Sequence, residues 1–202
     1  MKKLLLFTML ALGVTTTQAQ NAEYVISGNA PEGTNWVYFF YNGKFRSVDS
    51  VAVKDSKFQL NGTQPLNTFI TVAADKQHTI TVVNDRTPIT VNLKNGNVTG
   101  SPQNVQFANF QKEQNKLDEK MMDIYKKYQA VASDKTIEGQ TKKGVFEGMM
   151  EQTEQKQIKD ILAFANSNKK GVTPAYFLGQ SYYSLTYEEL VSALDNTSTY
   201  YN

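Results

Sequence analysis

The pair Ser101-Pro102 divides the chain into two stretches that cannot share one kind of structure. Before it, apolar residues recur at every second position; after it, they recur at alternating three and four spacing. A period of two places side chains on opposite faces of a strand, whereas a period near 3.6 lines them along one face of a helix. The chain is therefore expected to be α+β by segment, an antiparallel β-sandwich or barrel over residues 20–100 followed by a helical extension over 101–202.

In the first stretch Ile89, Val91 and Leu93 alternate with Thr90 and Asn92, Ile80 and Val82 with Thr79 and Thr81, and Phe58 and Leu60 with Lys57 and Gln59. Each run reads as a half-buried strand. Trp36-Val37-Tyr38-Phe39-Phe40-Tyr41 is apolar on both faces, as a central strand covered on both sides would be. Asn42-Gly43, Asn61-Gly62 and Asn95-Gly96 supply residues that accept positive φ and are expected at tight turns. Six to eight short strands at this spacing suit a sandwich or barrel.

In the second stretch Ser101 is placed to cap a helix whose first position is Pro102, where the missing N–H is not needed. Phe107, Phe110, Leu117, Met121, Ile124, Tyr128 and Val131 then form a seam, with Gln114 in its remaining position. A second helix is expected over about Thr141–Asn166, apolar at its ends and solvated over its polar middle, Glu151 to Gln157. A short third helix starts at Thr173-Pro174. Thr186 and Glu189 form a capping box for a fourth, flanked by Leu185 and Leu190 as a hydrophobic staple. The polar tail from Asp195 to Asn202 is expected to fray.

The seam from Phe107 to Val131 runs about 36 Å at the helical rise, longer than the face a small sandwich covers. The region around Leu117, Met121 and Ile124 is therefore expected to stay partly exposed and to serve as a docking surface for a protein partner. The competing expectation is that the short Tyr-rich helices fold back and bury it.

Met1-Lys2-Lys3, the apolar run from Leu4 to Val14, and Thr17 and Ala19 as the small residues before a cut form the three parts of a secretory signal peptide, residues 1–19. The run is about half the 20 residues that spanning a bilayer requires. A mature chain starting at Gln20, with no Cys to carry a lipid, is expected to be soluble in the periplasm or secreted, with no membrane span. Removing Lys2 and Lys3 from the 21 basic residues leaves 19 against 19 acidic ones, a formal charge of zero. Without a basic stripe, nucleic-acid binding is not expected.

Composition also limits chemistry. With no Cys the chain can run no thiol or disulfide reaction, and a triad would have to use His78, its one histidine. His78 opens a strand, where a local hydrogen bond is the expected role. Glu188 and Glu189 diverge by about 100° on a helix and cannot share one substrate bond, and Glu189 already has a capping role. Asp118, Glu119 and Asp123 lie among lysines on the polar side of the long helix. Gly139, Gly144 and Gly148 carry no phosphate-loop Lys-Ser or Lys-Thr, although Gly144 and Gly148 could admit a close helix. The aromatic groups Trp36, Tyr38 and Phe40, and Tyr176, Tyr182, Tyr183 and Tyr187, are expected in the core first and as a ligand platform second. No catalytic residue, metal ligand or cofactor is expected.

The segments Tyr24-Val25-Ile26-Ser27-Gly28, Tyr41-Asn42-Gly43-Lys44 and Val48-Asp49-Ser50-Val51-Ala52-Val53-Lys54-Asp55-Ser56-Lys57-Phe58, with a helix after Gly100-Ser101-Pro102, resemble a domain-of-unknown-function family. That family stands in front of a thioredoxin-like domain in periplasmic thiol-disulfide oxidoreductases of the peroxiredoxin-related kind. The resemblance covers about Glu23 to Gly100, and Gln103 to Leu194 resembles the helical connector that follows in those proteins. It implies an accessory module without the redox activity, since no Cys-x-x-Cys is present. The expected function is a noncatalytic binding or protein-interaction module with a thioredoxin-like protein or a second copy as partner. The alternatives are an inactive fragment of an oxidoreductase and a carboxylate-using enzyme.

Overall fold

The computed structural model describes residues 20–42 and 48–195. The signal peptide expected over 1–19, Gly43 of the first Asn-Gly pair, and the tail after Asp195 lie outside those residues. Eight strands come first: β1 (Asn21–Asn29), β2 (Trp36–Tyr41), β3 (Asp49–Ala52), β4 (Lys57–Pro65), β5 (Phe69–Ala73), β6 (Thr79–Val83), β7 (Ile89–Asn92) and β8 (Asn97–Thr99). Four helices follow: α1 (Pro102–Val131), α2 (Ile137–Ser167), α3 (Thr173–Ser181) and α4 (Tyr187–Asp195). The change of structure falls at Ser101-Pro102, where the Ser101 hydroxyl accepts from the Asn104 N–H at 3.2 Å.

The strands form two four-stranded sheets, ordered β4-β1-β7-β8 and β3-β2-β5-β6. The fold is thus a sandwich and not a closed barrel. Every strand pair is antiparallel except β1 with β7, which run parallel with Ile26 opposite Ile89. Between the sheets lies a first core, with Ile26, Phe39, Ile70, Val72, Val82 and Val91 all buried. On the outer face of the second sheet lies another, where Val83 and Phe69 meet Phe107 and Phe110 of α1, Ile161 and Phe164 of α2, and Phe177 of α3. Period-two alternation makes this double use possible: Ile70, Val72, Ile80 and Val82 point inward while Phe69 and Val83 point to the helices.

The first turns of α1 lie along β6 and β8, the edge strands on one side of the sandwich. Asn104 is fully buried there. Its Oδ1 accepts from the Val83 N–H at 2.6 Å, and its Nδ2 donates to the Val83 carbonyl at 2.9 Å. One side chain thereby satisfies both backbone groups of an edge residue, which would otherwise be buried without partners.

Three sequence expectations are corrected. Asn61-Gly62 is no turn but lies inside β4, with Gly62 opposite Tyr24. Gly is needed there because a Cβ would run into the Tyr24 ring and hydroxyl. The turn that joins β3 to β4 uses Asp55 and Ser56 instead, both at positive φ (52° and 57°), the geometry that matches strand twist in a two-residue hairpin. β2 is covered on one face only: Val37, Phe39 and Tyr41 are buried, while Trp36 and Tyr38 are 49 % and 40 % exposed. The second helix starts at Ile137, earlier than expected, capped by Thr136, whose hydroxyl accepts from the Gly139 N–H.

Across the two sheets, the Tyr24 and Tyr41 hydroxyls lie 2.7 Å apart and the Tyr41 hydroxyl donates to Asp49 at 2.6 Å. Burial, reinforced by the bonds to Asp49 and Tyr24, pushes the Tyr41 phenol well above the ordinary tyrosine range. Burial also raises Tyr24. Both phenols are held neutral, which suits a structural latch between sheets and not a proton-transfer site.

Candidate functional site

α1 and α2 form an antiparallel hairpin closed by residues 132–136. At its tip the Asp134 carboxylate accepts from the backbone N–H and the hydroxyl of Thr136, and these bonds hold it below the usual carboxylate range. The buried residues of α1 crowd into its first four turns: Asn104, Phe107, Ala108, Phe110 and Gln114, with Ile124 alone beyond them. A helix of 30 residues is about 45 Å long, so much of the hairpin extends past its contacts with β6 and β8. That outer part carries exposed Met122, Tyr125, Val145 and Met149, with Ile137 near the tip.

The three residues expected to form a docking surface are separated by this geometry. Leu117 is half-buried and borders a groove of about 650 Å³ on one side of the α1–α2 seam. Met121 is half-buried and borders a cleft of about 280 Å³ on the other side, against α3. Ile124 is 2 % exposed and sits within the hairpin. The exposed apolar residues Met122 and Tyr125, next in sequence to Met121 and Ile124 but turned outward, were missed because they fall off the heptad-like seam.

The floor of the groove beside Leu117 is formed by Phe110 and Phe164, stacked with centroids 4.2 Å apart and ring planes 11° from parallel. Its rim carries Lys156, paired with Asp160 at 2.7 Å. The cleft beside Met121 is more polar. There Gln157 donates to Asp118 at 2.6 Å, Ser184 donates to Glu154 at 2.8 Å, and the Gln114 side chain is buried with its Nε2 lacking a hydrogen-bond partner. The polar middle of α2 faces solvent as expected except at Thr153, which is 1 % exposed and returns its hydroxyl proton to the Met149 carbonyl.

His78 makes the local contact expected of it, with Nδ1 2.8 Å from Asp75 Oδ2. That bond, followed by the N–H groups of His78 and Gln77, holds Asp75 below its ordinary range. Glu189 accepts from the Thr186 N–H at 2.9 Å while its own N–H donates to the Thr186 hydroxyl, closing the capping box. Asp123 pairs with Lys127 on the outside of α1. Gly144 and Gly148 admit no neighbouring helix, since nothing stands within 4 Å of a Cβ at either. Of the four C-terminal tyrosines Tyr176, Tyr182, Tyr183 and Tyr187, only Tyr176 joins a core, against Phe69 and Phe107; the other three are exposed, as are Trp36 and Tyr38. Among the described residues, no group of three or more His, Asp or Glu could hold a metal, and no helix is long and apolar enough to cross a membrane.

The sandwich, with the first turn and a half of α1, is the part of the chain similar to a known family. Residues 24–107 match a domain of unknown function, DUF4369. No curated protein and no solved structure matches the chain significantly. The matched region begins inside β1 and ends at Phe107, so it takes in Ser101 and Asn104. The Val48-Asp49-Ser50-Val51 motif lies within it, and its Asp49 is the carboxylate that anchors Tyr41. Most of the α1–α2 hairpin lies beyond the matched residues.

Proposed function

We propose that the chain is a noncatalytic protein-interaction module of the periplasm, accessory to a thioredoxin-like protein and docked to it through the α1–α2 hairpin. The observation that carries this reading is the outer half of the hairpin, where Met122 and Tyr125 on one helix and Val145 and Met149 on the other expose apolar surface away from either core. Surfaces of this kind mark interaction sites when they are contiguous. The thioredoxin-like class of partner rests on the resemblance of Tyr24 to Phe58, and the compartment on the leader-like pattern from Met1 to Ala19. The chain itself has no thiol, so any redox step belongs to the partner.

The deciding experiment captures partners from a periplasmic extract with the chain starting at Gln20. Enrichment of a thioredoxin-like protein, lost in Met122→Asp with Tyr125→Asp while the melting temperature holds, is the expected result. Capture that survives this pair but is lost with Leu117→Asp and Met121→Asp moves the docking surface to the seam. A chain that is monomeric in light scattering and enriches no redox protein refutes the accessory role.

A further inference from the structure

The helices leave part of the outer face of the second sheet uncovered, and that part holds the chain's one tryptophan. Trp36 and Tyr38 are two residues apart on β2, so their side chains share a face about 7 Å apart along the strand. Their strand neighbours are small: Ala52 and Ser50 on β3, and Ala73 on β5 beside Tyr38. The two rings therefore stand above the surface around them, consistent with exposures of 49 % and 40 %.

Two turns flank this platform, leaving a shallow, open hollow of about 550 Å³. One, residues 31–35, contributes Glu32 and Asn35; the other, residues 74–78, contributes Asp75 and His78. The second turn is pinned, because Asp75 accepts from the N–H groups of Gln77 and His78 at 2.7 and 2.9 Å and from His78 Nδ1 at 2.8 Å. With Nδ1 engaged, Nε2 is the imidazole atom left for another molecule. Among the described residues no Lys or Arg lines the hollow, and its two carboxylates disfavour an anionic ligand.

We infer that this hollow binds a neutral saccharide. A pyranose ring has a face of polarised C–H groups, which the negative face of an aromatic ring attracts, and an edge of hydroxyls that both donate and accept. Trp36 and Tyr38 supply the first surface. Glu32 and Asp75 accept hydroxyl protons, while Asn35 and the free edge of His78 complete the second. A few convergent polar groups beside apolar surface is the usual make-up of a small-molecule site. The hollow contains no residue of the α1–α2 hairpin, so it stands or falls separately from the docking function.

Because Trp36 is the chain's one tryptophan, its emission reports this site directly. The full mature chain is titrated with cellohexaose, mannohexaose and a hexamer of N-acetylglucosamine. At least one is expected to give a saturable blue shift and to protect Trp36 from acrylamide. Tyr38→Ala is expected to weaken that response about tenfold, and His78→Ala to weaken it several-fold, with circular dichroism and melting unchanged in either variant. Absence of a shift with all three oligomers overturns the inference. So does a response to tetramethylammonium or to a proline-rich peptide in place of sugar, an emission that changes with protein concentration alone, or an undiminished response in both variants.

Discussion

Asn104 does for β6 what a neighbouring strand would do, and it does so with a single side chain. Replacing it by Leu keeps the volume and removes the pairing, leaving the Val83 N–H and carbonyl buried at a cost of about 1–3 kcal/mol each. Urea unfolding of Asn104→Leu is expected to show that loss, whereas Asn109→Leu, on the exposed side of the same helix, is expected to be near neutral. Tyr41 makes a second prediction, in pH. Its folded pKa lies above that of an unfolded tyrosine, so its contribution is fully present below about pH 10 and falls as pH rises from there. Urea midpoints between about pH 8 and pH 11 should therefore decline, and Tyr41→Phe should flatten the decline while lowering the midpoint at neutral pH. Local chemistry of this kind was only partly legible. Ser101-Pro102 and Thr186 with Glu189 act within one helical turn, and their roles could be read from spacing. Asn104 and Tyr41 act on residues 21 and 17 positions away, a relation that no local pattern encodes.

Elements were legible where their period was strong, and misread where burial depended on what packed above them. α1 is the clearest case: its existence, its cap and its first helical residue follow from the sequence, but not the division of its seam. Phe107 is enclosed by Phe69, Tyr176 and Phe177, whereas Leu117 in the same seam is half-buried. Phe107→Ala is expected to cost about 3–5 kcal/mol and Leu117→Ala much less, a contrast that thermal unfolding of the two variants measures. β2 failed for the complementary reason. An apolar run on both faces looks like a doubly covered strand, yet the helical layer packs over Phe69 and Val83 and leaves Trp36 and Tyr38 uncovered. β4 carries Asn61-Gly62 through its middle because Tyr24 needs the space, so a pair that usually signals a turn here records a contact from another strand.

At the scale of the whole molecule the second sheet is shared between two cores, one against the first sheet and one against the helices. The boundary expected at Gly100 marks a change of secondary structure, but Asn104, Phe107 and Ala108 lie beyond it and complete both cores. A chain ending at Gly100 is therefore expected to lose its cooperative calorimetric transition, while residues 20–195 unfold in one step. A cooperative transition in the shorter chain would show that the sandwich stands alone.

The same anchorage makes α1 a lever. A hairpin anchored at one end, by the first turns of α1 and the last turns of α2, and clear of the sandwich beyond them converts a small tilt at Ser101 into a large sweep at the tip. Traction applied at Asp134 reaches the sandwich through the packing of the first turns of α1 and the last turns of α2, and through the Asn104–Val83 pair. The two-stranded helical arm, with few buried side chains beyond Gln114, is expected to yield turn by turn under low tension. The sandwich should give way only afterwards and abruptly, so that an optical-tweezers trace drawn from residue 134 shows a gradual extension followed by a single rip.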